Sequence, residues 1–300
     1  MVYIRALRMM LQKISKHIIT EHDSKALQQA LNTLTGWTEK WLLKLNVSKC
    51  QILSISRSNA IEYKYDITYN GTVSTLGRVH TMRDLGVLID DKLHFSDHVY
   101  DKVHKSYYML GLIKRNFEHL DPQTFVQLYK SLVRSNLEYA VTVWNPHKEY
   151  LIEELEKVQR RATKIVKVCR SKSYLERLQH LKLPTLKYRR TRGDMIEVYK
   201  ILHNKYDSNA VGLNLNLSNI VHTRSNSYKL DKHRPKYDLR KFFFSERVVE
   251  LWNSLPPSVV LQAETVDTFK NRLDKYWSKQ EVLYNYKAKF TGSGHRSYVT

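Results

Sequence analysis

Between Lys157 and Arg192 the chain carries thirteen basic residues and a single acid, Glu176. A segment so charged can fold only if its cations reach water, acidic partners or a polyanion, so this run sets the terms for everything around it. It is part of a wider excess, 50 Lys plus Arg against 29 Asp plus Glu and a formal charge of +21 over 300 residues. Such a balance does not suit a neutral metabolic enzyme and is the electrostatic footprint of a nucleic-acid binder, although anionic membrane surfaces attract it as well. Seven of the thirteen are arginines, whose planar guanidinium suits phosphate oxygens. A solvated helical face is the bland alternative. With 42% hydrophobic and 11% aromatic residues there is enough apolar surface for one sizeable core or two modest ones.

Other classes are weakly supported. Cys50 and Cys169, the two cysteines, sit in no CxxC or Cys/His cluster, which argues against a disulfide framework or structural zinc. No apolar run reaches the ~20 residues of a membrane span, so the chain reads as soluble and intracellular, in cytoplasm or nucleus, with no membrane partner. Arg5, Arg8, Lys13 and Lys16, with no acid before Glu21, superficially resemble a mitochondrial presequence. His94 and His98 have i, i+4 spacing but lack HExxH or a third ligand, and they read as surface or packing residues.

Hydrophobic periodicity predicts a helix over about 24–43, with Leu27, Leu31, Leu34, Trp37 and Trp41 on its inner face. Short antiparallel strands follow over 49–56 and 63–73, the latter with an Asn70-Gly71 turn, and another over 84–90. From Ser96 the pattern is helical. One helix carries Val99, Val103, Tyr107, Leu110 and Ile113, and a second opens at Asp121-Pro122 and runs to Asn145-Pro146. A third spans about 150–168, and two more cover 174–181 and 186–202. The polar stretch 205–240 reads as a linker, 242–277 as a small apolar cluster, and the chain after Gln280 is uninformative. The fold class is α+β and predominantly α.

The ordered motifs Trp37-Thr-Glu-Lys-Trp41, Leu45-Asn-Val-Ser-Lys49, Asp84-Leu-Gly-Val-Leu-Ile-Asp90, Phe95-Ser-Asp-His98, Leu137-Glu-Tyr-Ala140 and Val143-Trp-Asn-Pro146 resemble one family. So do Leu155-Glu-Lys-Val-Gln-Arg-Arg-Ala-Thr-Lys164, Tyr188-Arg-Arg-Thr-Arg-Gly-Asp194 and Trp252-Asn-Ser-Leu-Pro256. The chain is similar, over about residues 20–280, to the C-terminal part of the reverse transcriptase of non-LTR, Jockey-like LINE retrotransposons. The resemblance implies the end of a palm, a small antiparallel remnant over 20–96, followed by a helical thumb bundle over 97–204. A linker (205–240), a C-terminal helical cluster (241–280) and a tail (281–300) complete the division. It implies RNA, DNA or an RNA–DNA hybrid as partner. It also implies that Lys49 stands where these polymerases keep a palm lysine acting as a general acid, and that Leu85-Gly86 is a primer-grip turn. Lys157, Arg160, Arg161, Lys164, Lys167, Arg189, Arg190 and Arg192 are the expected nucleic-acid contacts.

The departure concerns catalysis. Phosphoryl transfer in the family uses an Ala-Asp-Asp motif to hold Mg²⁺, yet the matching place here reads Ala6-Leu-Arg-Met-Met-Leu-Gln12. Met9-Met10 is necessarily encoded ATG ATG, and the frame one base back contains GAT, an aspartate codon. Residues 1–19 therefore read as an out-of-frame or non-family leader, and the other palm aspartate and the fingers would lie before Met1. Asp90 and Asp91 read as turn residues, and no metal site or retained cofactor is expected in this chain. The sequence thus points to a polymerase fragment that binds primer-template without synthesis. Three alternatives stand beside it: a domesticated nucleic-acid adaptor, part of a longer active reverse transcriptase, and a chain that is not stable alone.

Overall fold

The computed structural model describes residues 2–6, 12–56, 62–206, 215–218 and 228–291. It is a mixed α+β fold, about half helical with small sheets, and divides into two compact units, residues 1–98 and 99–300.

In the first unit, β1 (Val2–Ala6) and β2 (Gln12–Lys16) pair antiparallel, with Ala6 opposite Gln12. Helix α1 (Glu21–Lys40) follows, then a 3₁₀ turn at Val47–Lys49 and β3 (Gln51–Ser54). Strand β3 pairs antiparallel with β1 and parallel with β6 (Gly77–Val79), in the order β2-β1-β3-β6. Before β6 come β4 (Asp66–Tyr69) and β5 (Thr72–Thr75), a separate hairpin turned by Asn70 and Gly71, both at positive φ. Asn-Gly suits that turn because neither residue pays heavily for the left-handed conformation. A second two-stranded sheet, β7 (Thr81–Asp84) with β8 (Val87–Asp90), replaces the single strand expected over 84–90. The strand cannot be continuous because Leu85 and Gly86 both take positive φ, 43° and 83°, and reverse the chain.

The core of this unit joins Leu27 and Leu31 of α1 to Cys50, Ile52, Tyr65, Ile67 and Leu76. Trp37 and Trp41 are not in it. The buried stripe of α1 is Ser24, Leu27, Leu31, Thr35 and Thr38, and the helix ends at Lys40, which leaves Trp37 39% and Trp41 63% exposed. Leu34 packs half-buried at the edge of this core as expected, whereas Trp37 and Trp41 lie farther round the helix from the stripe. The leader expected over 1–19 supplies both strands of a hairpin, and Met9-Met10 lies outside the described residues.

The second unit begins within α2 (Ser96–Asn116). Asp121 caps α3 (Pro122–Leu128) by accepting from the N–H groups of Gln123 and Thr124. The single helix expected from there to Asn145 is interrupted. It widens into a π segment over Tyr129–Arg134, resumes as α4 (Ser135–Glu138), extends at Tyr139 and turns left-handed at Ala140, φ 51°, before α5 (Val141–Trp144). Tyr129, Val133, Leu137 and Trp144 are buried along these pieces, and on an unbroken α-helix they would fall within an arc of about 80°, so their spacing does not mark the interruption.

Helix α6 (Glu149–Thr163) leads to a 3₁₀ turn at Lys167–Cys169, then α7 (Tyr174–His180) and α8 (Leu186–Leu202). Four short helices, α9 (Asp238–Lys241), α10 (Phe244–Arg247), α11 (Val249–Asn253) and α12 (Pro257–Val260), precede α13 (Val266–Tyr276). Their core is continuous with α8. Tyr188, Met195, Val198 and Tyr199 pack with Phe244, Trp252, Phe269, Leu273 and Trp277. The stretch after Gln280 joins it, since Val282 is fully buried and accepts from the Thr185 hydroxyl, and Thr185 N–H donates to Leu283. Of the expected 205–240 linker, Leu217 bridges to Leu230, which is buried.

Asp23 closes the capping box of α1, accepting from the Thr20 backbone, the Thr20 hydroxyl and the Ile19 N–H, and these donors hold its carboxyl down at about 2. A carboxyl depressed by folding stabilises above its unfolded pKa and ceases to do so as pH falls toward the folded value. Asp23→Asn should therefore lower urea resistance at pH 6, with the gap to wild type closing between pH 4 and 2.

Candidate nucleic-acid interface

In the first unit the expected site residues sit at two places. Lys49 ends the 3₁₀ turn that delivers the chain into β3, and it is exposed. Because Arg5 of β1 pairs with Gln51, the start of β3 lies at the same end of the sheet as Ala6 and Gln12, which flank residues 7–11. Lys49 therefore lies toward the end of the sheet where β1 finishes and β2 starts. The Leu85-Gly86 turn forms the tip of the β7-β8 hairpin, and Leu85 is 65% exposed there despite its left-handed backbone. Below the tip, Leu88 N–H donates to Nδ1 of the buried His98 at 3.0 Å.

Carboxylates nearby are already engaged. Asp90 accepts from three backbone N–H groups, those of Lys92 (3.0 Å), His94 (3.0 Å) and Phe95 (2.6 Å), and so shapes the loop into α2. Asp91 pairs with His80 at 2.9 Å, a contact that lowers its pKa. His94 is exposed whereas His98 is buried. Among the described residues no three His, Cys, Asp or Glu side chains converge on a point where a metal could sit. These acids therefore do not fit the carboxylate pair that Mg²⁺ would need.

The basic run of the second unit separates into two populations. Lys157, Arg161, Lys164 and Lys167 are exposed at the C-terminal end of α6 and just beyond it. Lys157 Nζ pairs with Glu154 at 2.7 Å, and Lys167 Nζ lies 3.3 Å from His119 Nδ1. The Arg161 guanidinium lies over the Tyr107 ring midway along α2, 5.3 Å from its centroid, with Lys114 and Arg115 about two turns farther along that helix. Cations at a helix C-terminus also oppose its negative dipole end.

The second population is spoken for. Arg189 grips Glu138 through Nε and Nη2, and Arg192 grips Asp274 in a bidentate pair at 2.5 and 2.6 Å. Arg190 is 2% exposed, and its Nε donates to Asn145 Oδ1. Arg160 is half-buried between the Tyr174 and Tyr286 rings, with Nη2 on the Tyr286 hydroxyl at 2.8 Å. Helix geometry carries the signal for this division. At about 100° per residue, positions 157, 161 and 164 share one face, whereas 189, 190 and 192 radiate around α8. The acids that receive Arg189 and Arg192, Glu138 and Asp274, lie 51 and 82 residues away in the sequence and were not legible as partners.

The chain is 28% identical over 204 residues, 65% of its length, to the RNA-directed DNA polymerase from mobile element jockey of Drosophila funebris. The similarity is thus to the polymerase of a mobile element. The chain spans 21% of the length of that curated polymerase. No protein-family model matches it, and no solved structure does.

The two populations should respond differently to neutralisation. Arg161→Gln should change unfolding free energy by no more than about 0.5 kcal/mol, as exposed substitutions do. Arg190→Gln should cost about 3 to 5 kcal/mol, since it strips a buried charge from its partners. Urea denaturation of both variants measures the difference.

Proposed function

We propose that this chain is the nucleic-acid-holding part of a retrotransposon RNA-directed DNA polymerase, binding primer-template through a thumb-like helical unit and not synthesising by itself. The observation that carries the reading is the exposed cluster Arg161, Lys164 and Lys167, joined at its edge by Lys114, Arg115 and His119. These cations face solvent on rigid helical supports while their neighbours on α8 are neutralised by acids, so the surface presents charge where a phosphate backbone can take it. Relationship to a polymerase of a mobile element supports nucleic acid as the partner class. On this reading RNA, DNA and a hybrid are all held, because phosphate contacts carry little sequence information.

The first unit then supplies the end of a palm. The Leu85-Gly86 tip acts as a primer grip, a rigid reversal kept in register by the Leu88–His98 hydrogen bond, and Lys49 serves as the general acid at the sheet end. Synthesis is not expected of residues 1–300 alone, because Asp90 and Asp91 are committed to the loop and to His80. Mg²⁺ belongs to the intact family enzyme.

Two measurements test this. The affinity for duplex nucleic acid should fall steeply with salt, and the triple variant Arg161→Gln, Lys164→Gln, Lys167→Gln should reduce the slope of log K against log salt by about 2 to 3. Lys279→Gln, an exposed lysine outside the cluster, should leave it unchanged; an unaltered slope in the triple variant would sink the assignment. Separately, the purified chain with Mg²⁺ and primed RNA should extend no primer, and synthesis abolished by Asp90→Asn would reverse the second half of the reading.

A further inference from the structure

Helix α2 turns a second, chemically different face to solvent. Tyr100 is 39% and Tyr108 65% exposed, and His104 between them is exposed as well. At about 100° per residue these three fall within an arc of about 80°, and the same arc takes in Gly111 and Arg115. Continuing round toward α6 it reaches Tyr107 and Lys114, so the ring-bearing face abuts the cationic cluster through the Arg161–Tyr107 contact. A Cβ on Gly111 would meet nothing within 4 Å, so the face stays open between Tyr108 and Arg115. Beside it lies an open hollow of about 430 Å³ lined by His104, Lys105, Tyr108, Met109 and Asn136.

Exposed tyrosines at i and i+8 with a histidine at i+4 do not serve the core, whose side of α2 is Val99, Val103, Ser106, Leu110 and Ile113. Aromatic faces interleaved with cations are what unpaired bases recognise. A base in a duplex has both faces covered by its neighbours, so a ladder of rings can stack only on bases that have left the helix. Successive rings at four-residue intervals rise by about 6 Å along α2, nearly twice the 3.4 Å step of a stacked strand. Their spacing therefore suits an extended, unstacked strand.

We propose that the Tyr100–His104–Tyr108 face of α2 is a stacking site for single-stranded nucleic acid, with Arg115 and Lys114 leading its backbone toward the Arg161 cluster. The inference rests on the nucleic-acid reading above and adds to it a substrate class, the unpaired strand, and a set of residues outside the basic run.

The test is fluorescence anisotropy on the full chain with three kinds of labelled probe at one salt concentration. They are a base-bearing single strand of about twelve nucleotides, as dT and as U, an abasic strand of the same length, and a closed hairpin duplex. The base-bearing strands should bind about tenfold or more tightly than the abasic one, because only they offer rings to stack. Tyr108→Ala and Tyr100→Ala should each remove much of that advantage, Tyr108→Phe should keep it, and none should alter duplex affinity. Unchanged urea midpoints in these surface variants would show that the fold is intact. Equal binding of base-bearing and abasic strands would overturn the stacking site while leaving the cationic grip standing. No binding to any of the three probes would overturn both.

Discussion

The second unit is organised around charges buried against α8. Asp194, 4% exposed, receives two hydrogen bonds from Arg247 at 2.9 and 3.0 Å and one from Asn145 at 3.0 Å. Arg247 also donates to the carbonyls of Thr142 and Phe242, so α5, α8 and α10 meet at one ion pair. One and two turns earlier on α8, Arg190 and Lys187 N–H address Asn145 and Glu156, and Glu156 accepts from the Tyr174 hydroxyl as well. Burial raises the pKa of both carboxyls and lowers that of Arg190, opposed in each case by the partner of opposite charge. Such an arrangement adds little stability over a well-packed apolar core. Its effect is on which elements can meet, since any other pairing of these helices leaves a charge stranded in a low-dielectric interior.

That constraint decides what the basic run can do. Arg189, Arg190 and Arg192 are spent on Glu138, Asn145 and Asp274, while Lys187 Nζ is taken by the carbonyls of Tyr286 and Ala288 and Arg160 by Tyr286. The C-terminal segment after Gln280 thus consumes two more cations. Exposed at the end of α6 and just beyond it are Arg161, Lys164 and Lys167, while Lys157 is matched by Glu154. Local structure and function are linked through one accounting of positive charge.

Most of the element pattern was legible in the sequence because it follows from local chemistry. Asn70-Gly71 specifies a hairpin turn, Asp121-Pro122 a helix start, and the period of Leu151, Leu155, Val158 and Ala162 a buried helical stripe. Failures came where a tertiary contact overrode the period. The break at Leu85-Gly86 was visible as a Leu-Gly pair, yet the apolar run around it reads equally as one strand. Interruption at Tyr129–Arg134 and Ala140 has no local marker, because the buried Tyr129, Val133, Leu137 and Trp144 keep the spacing of one unbroken helical face. Among site residues, the grouping of Arg161 with Lys164 follows from helix spacing, whereas the capture of Arg192 by Asp274, 82 residues on, does not.

The first unit shows a different division of labour. Its acids build loops: Asp23 caps α1, Asp90 gathers three N–H groups, and Asp91 holds His80. A carboxylate that already accepts three backbone hydrogen bonds would have to surrender them to bind a cation, and the loop into α2, with Leu93 and Phe95 both at positive φ, would lose the contacts that offset its strain. Chemistry at this end of the molecule therefore cannot be recruited from the described acids without dismantling the turn that leads into α2. The Leu88–His98 hydrogen bond lies below the Leu85-Gly86 reversal, and the register of β3 sets Lys49 at the sheet end. On the function proposed above, holding and reacting are physically separable in this chain, and the residues it spends on structure leave it equipped for the first.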